Sequence, residues 1–320
     1  MTSIDVHAHL VPPAALEKAC AAPERYGLRM EGDRPVFEGS TPGAALNPLL
    51  TDVPNRPSAK VDLQLLGNWM DATGYTLPPD KGAAWSRLFN HELAAVASQK
   101  PDRFRTLATL PMQDGARAAE ELEFAVRDLD MKGAMIACNI AGRNLDEPDF
   151  EPVWRKASEL KVPVVLHPLH KIEPRRLAKY YGGNLLGNPF DTLIAAASLI
   201  FSGVPDRFPD LKIVLLHGGG HLPYQVGRLN HGYQVRPETK LAKKPPVDYL
   251  RWFRYDTVIH LPQALRYLLD LVGPDRVLLG SDDPFDMGDM DPTVIVAACG
   301  CIGHDAERVI GGNAQEAFSL

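Results

Sequence analysis

The regular alternation of short apolar runs with longer helical stretches constrains the fold of this 320-residue chain more than any other feature. Eight such runs are bounded by turn residues, and most are continuously apolar, as strands are when both of their faces are covered. Parallel strands need crossover connections, which are usually helices, so the alternation predicts an α/β fold closed into a (β/α)₈ barrel. The predicted strands are Ile4–Leu10, Asp62–Gly67, Thr106–Met112, Gly133–Ile140, Pro163–Pro168, Ile213–Gly218, Tyr255–Ile259 and Arg276–Asp282. The predicted helices are Ala83–Gln99, Ala116–Leu129, Phe150–Leu160, Thr192–Ser202, Pro262–Val272 and Pro292–Cys299.

One segment interrupts the alternation. Residues 11–60, between the first two predicted strands, are rich in Pro and Gly and too long for an ordinary loop. Within the segment, residues 30–37 predict a small hairpin that turns at Gly32-Asp33. Loops that follow barrel strands build the face on which active sites lie. We therefore expect a single domain over residues 1–320 with this insertion as a lid or pocket wall; a surface decoration or dimer contact is an equal alternative.

Composition excludes several classes of function. The formal net charge is −6, and the nearest thing to a basic cluster is the short run Lys240–Lys244, so we expect no nucleic-acid partner. No apolar stretch approaches the roughly 18 residues of a membrane-spanning helix, and no signal-peptide pattern opens the chain. We therefore expect a cytoplasmic protein with no membrane partner.

Histidine and aspartate residues recur at the carboxyl ends of the predicted strands. His7 and His9 share one face of the first strand because side chains alternate along a strand. His167, His217 and Asp282 end the fifth, sixth and eighth strands, and in a parallel barrel these ends meet at one mouth. Three imidazoles and one carboxylate, from the residues His7, His9, His167 and Asp282, would hold a divalent ion with an open position.

Other polar residues near the same strand ends leave alternatives open. His260 follows the seventh strand and faces the mouth, where it either contacts substrate or has a structural role. His170, three residues after His167, is either a fifth ligand or part of the loop. Asp283 is expected to point away from the ion if the strand alternation continues past Asp282.

Several motifs together resemble those of the amidohydrolase superfamily, and more narrowly the branch typified by aminocarboxymuconate semialdehyde decarboxylase. They are Asp-Val-His-Ala-His at 5–9, Pro-Asp-Arg-Phe at 101–104, His-Pro at 167–168, Pro-Asp-Arg-Phe-Pro at 205–209, His-Gly-Gly-Gly at 217–220, Tyr-Asp-Thr at 255–257 and Gly-Ser-Asp-Asp-Pro-Phe at 280–285. The resemblance covers nearly the whole chain. It implies an amidohydrolase-like TIM barrel and does not identify the substrate.

The resemblance also implies roles for individual residues. It assigns one divalent ion, usually Zn²⁺ with Mn²⁺ as the alternative, to the family's ligand positions, which here are His7, His9, His167 and Asp282. His217 matches the histidine that acts on substrate or metal-bound water, and Phe285 matches an aromatic of the substrate pocket. Arg228 matches an arginine that reaches the neighbouring subunit's site, which implies a homodimer. A second substrate arginine of the family has no aligned counterpart; Arg56 and Lys60 are the candidates.

These assignments predict a metal-dependent, non-oxidative decarboxylase of a small aromatic or muconate-type carboxylic acid. The fourth predicted strand has no lysine placed to bridge two metals, since Lys132 precedes it, so a mononuclear site is favoured. His217, which coordination does not need, is the expected acid and base because imidazole exchanges protons near neutral pH. Arg228 offers a planar fork for a substrate carboxylate. The alternative is a hydrolase of lactones or C–C bonds on the same scaffold, because fold and ligands are shared and the pocket decides.

Overall fold

The computed structural model describes residues 2–52, 59–169 and 175–320, and within these ranges eight parallel strands surround a common axis. The strands are β1 (Ile4–His9), β2 (Leu63–Gly67), β3 (Phe104–Thr106), β4 (Ala134–Ala137), β5 (Pro163–His167), β6 (Lys212–Leu215), β7 (Phe253–Asp256) and β8 (Val277–Leu278). Each strand pairs with the next one in this order within two sheets, β1 to β3 and β4 to β8.

Backbone contacts join these two sheets into a closed barrel. Ala108, just beyond β3, forms a parallel bridge with β4. On the other side, Ala8 of β1 forms a parallel bridge with Asp283, and Asp282 donates its N–H to the His7 carbonyl at 2.7 Å. The predicted (β/α)₈ barrel is therefore confirmed.

Helices cover the outside of the barrel and pack on it through apolar faces. In α9, Leu265, Leu268, Leu269 and Val272 are buried with the spacing of one helical face. The described helices are α1 (Pro13–Ala21), α2 (Pro23–Tyr26), α3 (Pro79–Ser98), α4 (Gly115–Asp128), α5 (Glu151–Leu160), α6 (Asn188–Phe201), α7 (Val204–Arg207), α8 (Leu222–Val235), α9 (Pro262–Val272), α10 (Pro292–Ala298), α11 (Gly303–Glu307) and α12 (Asn313–Phe318). None of these helices is both long and apolar enough to span a bilayer.

Several predicted strands were wrong in extent, and two of them differ most. The predicted strand Thr106–Met112 stops at Thr106, because the side chain of Asn90 takes over the backbone of Thr109. Asn90 Nδ2 donates to the Thr109 carbonyl and Asn90 Oδ1 accepts its N–H, both at 2.9 Å. The predicted strand Arg276–Asp282 is regular only over Val277–Leu278. Beyond it the chain turns at Asp282, whose φ of 60° is left-handed.

The insertion after β1 has regular secondary structure in the residues described. It contains α1, α2 and the antiparallel hairpin of Leu28–Glu31 with Arg34–Phe37. The hairpin turns at Gly32-Asp33, so the predicted turn is confirmed. A second, shorter hairpin of Asn139–Ile140 with Arg143–Asn144 follows β4. It takes up the end of the predicted fourth strand.

Candidate metal centre

Four side chains that sequence analysis singled out converge at the carboxyl ends of β1 and β5 and at the turn that follows β8. One nitrogen or oxygen atom from each of His7, His9, His167 and Asp282 lies within 4.8 Å of the other three. Asp282 Oδ1 is 3.1 Å from His7 Nε2 and 3.2 Å from His9 Nε2. The side chains are buried, and His167, at 9 % relative exposure, is the most accessible of them.

Outward hydrogen bonds fix which nitrogen of each imidazole faces the centre. His9 Nδ1 donates to the Asn68 carbonyl at 2.9 Å, and His167 Nδ1 donates to the Pro168 carbonyl at 2.8 Å. Because a carbonyl can only accept, both rings carry their proton on Nδ1. In the neutral rings, both Nε2 atoms then present a lone pair toward the centre. A metal ligand needs this tautomer.

Asp256, at the end of β7, orients the third imidazole and was not singled out as a site residue from the sequence. Its Oδ2 accepts from His7 Nδ1 at 2.6 Å. Its Oδ1 accepts the N–H of Gly218 at 2.7 Å and that of Val258 at 3.3 Å. One buried carboxylate thus connects a candidate ligand to the loop that carries His217. Its position at the end of the seventh strand is the sequence feature by which Asp256 could have been predicted.

His217 stands beside the four converging side chains at the end of β6. Its Nε2 is 3.4 Å from Asp282 Oδ2, and its side chain is partly open to solvent. His217 has a φ of 54°, and Gly218, Gly219 and Gly220 follow with φ of 62°, 79° and 57°. Glycine is favoured at the last three of these positions because a Cβ is strained in this region. At Gly220 a Cβ would also overlap the backbone of α6.

The charges around the centre shift the pKa values of its members in opposite directions. Burial alone would lower the pKa of His7, but the Asp282 and Asp256 carboxylates raise it to about 10. Burial lowers the pKa of His9, and burial together with the neighbouring imidazoles holds the pKa of His167 well below its usual range. Burial would raise the pKa of Asp282, but His7 and the other imidazoles hold it well below its usual range.

The donor set fits a divalent metal ion. His7 Nε2 and Asp282 Oδ1 are buried, yet within the described parts of the chain neither makes a hydrogen bond of acceptable geometry. Buried polar atoms in proteins are normally satisfied, so both atoms point to a missing partner. Three imidazole nitrogens and a carboxylate oxygen are ligands that Zn²⁺ and similar ions take, and four such ligands leave room for substrate or water.

A cavity of about 460 Å³ opens onto this centre. His167, His217 and Asp282 line its polar side, and Trp69, Met70, Phe285 and Met287 line its apolar side. The ring of Phe285 lies 5.3 Å from that of His9, centroid to centroid. The insertion contributes Ala44, Ala45 and Asn47 to the wall.

Of the remaining sequence-derived candidates, His260 adjoins the centre, and Arg228 and Lys60 lie on the surface. His260 lines an adjoining cavity of about 290 Å³, which also touches His217 and Asp282. Arg228 lies on α8, is exposed, and does not line either cavity among the residues described. Lys60 forms an exposed ion pair with Asp291 at 2.9 Å and is not at the site. His170 and Arg56 lie outside the described residues.

Comparisons with known proteins place the chain in a family. The family model described as Amidohydrolase matches residues 4–320. A 2-amino-3-carboxymuconate-6-semialdehyde decarboxylase from Dictyostelium discoideum is 34 % identical over 263 residues, which are 81 % of this chain and 73 % of the relative. A gamma-resorcylate decarboxylase from Polaromonas sp. is 34 % identical over 256 residues, 73 % of this chain and 76 % of the relative. The chain belongs to the amidohydrolase family, in the decarboxylase branch of the superfamily.

A solved structure shares the whole fold. A dihydroxybenzoic acid decarboxylase from Polaromonas sp., crystallised with manganese and the inhibitor 2-nitroresorcinol, superposes with a TM-score of 0.80. The two chains are 25 % identical, and the match covers 100 % of this chain and 97 % of the other. The neighbour therefore pairs this barrel with a divalent ion and a ring compound.

Proposed function

We propose that this protein is a metal-dependent, non-oxidative decarboxylase of a small aromatic or muconate-type carboxylic acid. The observation that carries the proposal is the buried cluster of His7, His9, His167 and Asp282 at the floor of a largely apolar cavity, with His217 alongside. The relatives support it, since those described above are decarboxylases of carboxymuconate or dihydroxybenzoate compounds.

The proposed cofactor is one divalent ion held by His7, His9, His167 and Asp282. Zn²⁺ suits this donor set, and the manganese in the Polaromonas structure supports Mn²⁺ as the alternative. When bound, the ion would orient the substrate carboxylate and polarise an adjacent oxygen. A single ion is favoured, because Lys132 precedes β4 and pairs with Asp130 at 2.6 Å.

His217 is the proposed acid and base, with Asp282 beside it. The protonated imidazole gives its proton to the substrate carbon that bears the carboxylate. The bond between that carbon and the carboxylate then breaks, its electron pair returns to the ring or polyene, and CO₂ leaves. Solvent restores the proton, so the balance is a carboxylate and one proton giving CO₂ and the C–H product. Asp256 keeps the loop that carries His217 in place through the N–H of Gly218.

The walls of the cavity bind the rest of the substrate in this proposal. Phe285 and Trp69 offer faces on which a planar ring or polyene packs, and Phe285 lies close to the centre. His260 is the proposed contact for a substituent that reaches the adjoining cavity. The insertion acts as a pocket wall through Ala44, Ala45 and Asn47, within one barrel domain that spans the chain.

Arg228 is proposed to bind a substrate carboxylate in the partner subunit of a homodimer. It is exposed on α8, one helical turn from Tyr224, whose side chain is 82 % exposed. The segment preceding and opening α6, a helix that contacts α8, carries further exposed large apolar side chains. They are Tyr180, Tyr181, Leu185, Leu186 and Phe190.

A CO₂-release screen tests the proposed function. Protein reconstituted with Mn²⁺ or Zn²⁺ is offered hydroxybenzoates, pyridine carboxylates and carboxymuconates, and both CO₂ and the decarboxylated product are quantified. We expect stoichiometric CO₂ and product from at least one compound, and no turnover by His217→Ala. Hydrolysis of lactones or C–C bonds by metal-replete protein, with no CO₂ from any of these acids, would contradict the proposal.

A further inference from the structure

Four buried polar side chains form a ring beside the candidate metal centre, and the chemistry above does not use them. The ring consists of Asp5 of β1, Gln64 of β2, and Ser281 and Asp283, which stand on either side of Asp282. Each of the four is 0 % exposed. Burying so many polar groups is unfavourable unless they hydrogen-bond to one another. The hydrogen bonds within the ring therefore determine which backbone segments it holds.

The first part of the ring lies at an irregularity in β1. Asp5 is paired with Gln64 and Ala8 with Leu66, so three residue steps of β1 match only two of β2. Such a β-bulge bends a strand and redirects the side chains within it. The Asp5 carboxylate accepts the N–H of His7 at 2.9 Å, inside the irregular stretch. Asp5 thereby fixes the backbone from which the His7 imidazole projects.

The same Asp5 carboxylate also binds the segment around Asp282, where β8 closes the barrel against β1. Asp5 Oδ1 accepts the N–H of Ser281 at 3.0 Å, and Asp5 Oδ2 accepts its hydroxyl at 2.5 Å. Ser281 Oγ in turn accepts the N–H of Asp283 at 3.1 Å. Asp282, between these two residues, has a left-handed φ that a non-glycine residue keeps only where its surroundings enforce it.

Gln64 closes the ring with one amide nitrogen. Its Nε2 donates to Asp5 Oδ2 at 3.0 Å and to Asp283 Oδ2 at 2.9 Å. A primary amide has the two hydrogens that this requires, whereas a glutamate would place a third carboxylate against the other two. Gln64 is therefore the link between the bulge in β1 and the turn at Asp282.

We propose that Asp5 and Gln64 are positioning residues of the metal centre, which act through the backbone of His7 and of Asp282. Asp5 sets the bulge that directs His7 inward, and Gln64 and Ser281 hold the turn that directs Asp282 toward it. The inference rests on the proposed function in one respect, since it takes these residues to hold a divalent ion.

Mn²⁺ affinity and the Mn²⁺ electron paramagnetic resonance spectrum test the proposal in the full-length protein. Asp5→Asn keeps an acceptor for His7 but turns an amide toward the Gln64 donor, and Gln64→Met removes the donors at similar volume. We expect either variant to bind Mn²⁺ about 10- to 100-fold more weakly, the range typical of residues that support metal ligands. We also expect an altered spectrum in the Mn²⁺-saturated variants.

Glu121→Gln is the matched control. Glu121 is also buried and accepts from Asn90 at 2.8 Å and from Arg87 at 2.7 Å, in a polar network on the outer helices. This variant is expected to lose stability but to keep Mn²⁺ affinity and spectrum unchanged.

The outcomes separate the inference from the function on which it rests. If wild-type protein binds no Mn²⁺ or Zn²⁺, the metal centre itself is wrong and the inference falls with it. If wild-type protein binds Mn²⁺ and both variants bind it within about twofold, with only the stability loss seen in Glu121→Gln, the ring is merely structural and the inference alone is overturned. If Asp5→Asn fails to fold, the Mn²⁺ affinities of Gln64→Met and Ser281→Ala test the inference against the same expected range.

Discussion

At the scale of the residue, the proposed mechanism divides two roles between neighbouring side chains, because Asp282 is proposed to hold the ion and His217 to transfer the proton. Asp282 Oδ1 lies among the candidate ligands, whereas His217 is 3.4 Å from Asp282 Oδ2 and outside the cluster. We expect Asp282→Ala to lose both activity and bound metal, and His217→Ala to lose activity while it retains metal. Metal content after gel filtration, measured beside CO₂ release, checks this pair. Equal metal loss in both variants would make His217 a ligand.

The pKa of His7 predicts how metal binding depends on pH. Asp282 and Asp256 raise it to about 10, so below that pH the metal-free protein carries a proton on an imidazole whose Nε2 the ion needs. The lowered pKa values of His9 and His167 leave these rings neutral near neutral pH and above. Binding should therefore release about one proton near pH 8, and affinity should fall about tenfold for each pH unit of acidification.

Calorimetry in two buffers of different ionisation enthalpy measures that proton. The observed binding enthalpies should differ by about one buffer ionisation enthalpy. Identical enthalpies in both buffers would mean that His7 is already deprotonated without the ion. In that case the carboxylates around His7 do not act as described.

The sequence alone revealed the candidate metal ligands but not the residues that hold those ligands in place. His7, His9, His167 and Asp282 could be singled out because a strand end is visible in the sequence and parallel strand ends share a mouth. Asp256 could not be assigned to His7 by any local pattern, because 249 positions separate the two residues. The ring of Asp5 and Gln64 depends on a register shift between two strands, which periodicity does not show.

At the scale of the element, helices were predicted correctly where a full row of buried apolar residues marks one face. The helix Pro262–Val272 was predicted with its observed bounds, because four buried apolar residues mark one face and Pro262 begins it. Helix α8 was not predicted, because it buries only Leu222, Pro223 and Val226, all in its first half. Strand β3 was predicted too long. The buried residues that follow Thr106 have the composition of a strand, but the backbone of Thr109 hydrogen-bonds to the side chain of Asn90 instead.

The loop after β6 and the helix α8 each contain a glycine, and substituting the two by alanine should have opposite effects. Gly220→Ala puts a Cβ against the Pro189 carbonyl at a φ of 57°, and should destabilise the protein by about 1–3 kcal/mol or more. Gly232→Ala, in open space on α8, should stabilise it by about 0.5–1 kcal/mol because alanine favours the helix. Urea denaturation of both variants measures the difference. Equal stabilities would show that the loop does not need the conformation described.

At the scale of the whole molecule, the proposed dimer makes each site dependent on two chains. A His217→Ala subunit paired with an Arg228→Ala subunit should hold one complete site, because intact His217 and intact Arg228 then meet across the interface. Random mixing of the two inactive variants should restore about one quarter of wild-type activity, since half of the dimers are mixed and each has one working site. No recovery in verified heterodimers of two inactive variants would place both residues in the same chain's site, and an active Arg228→Ala variant would remove Arg228 from the site.

Anomalous diffraction from crystals grown with Mn²⁺ or Zn²⁺ shows whether the four converging side chains hold a metal ion, because it locates the ion without relying on activity. We predict one strong peak per chain, within bonding distance of His7 Nε2, His9 Nε2, an imidazole nitrogen of His167 and a carboxylate oxygen of Asp282. A peak elsewhere, or an ion that leaves Asp282 uncoordinated, would contradict the claim.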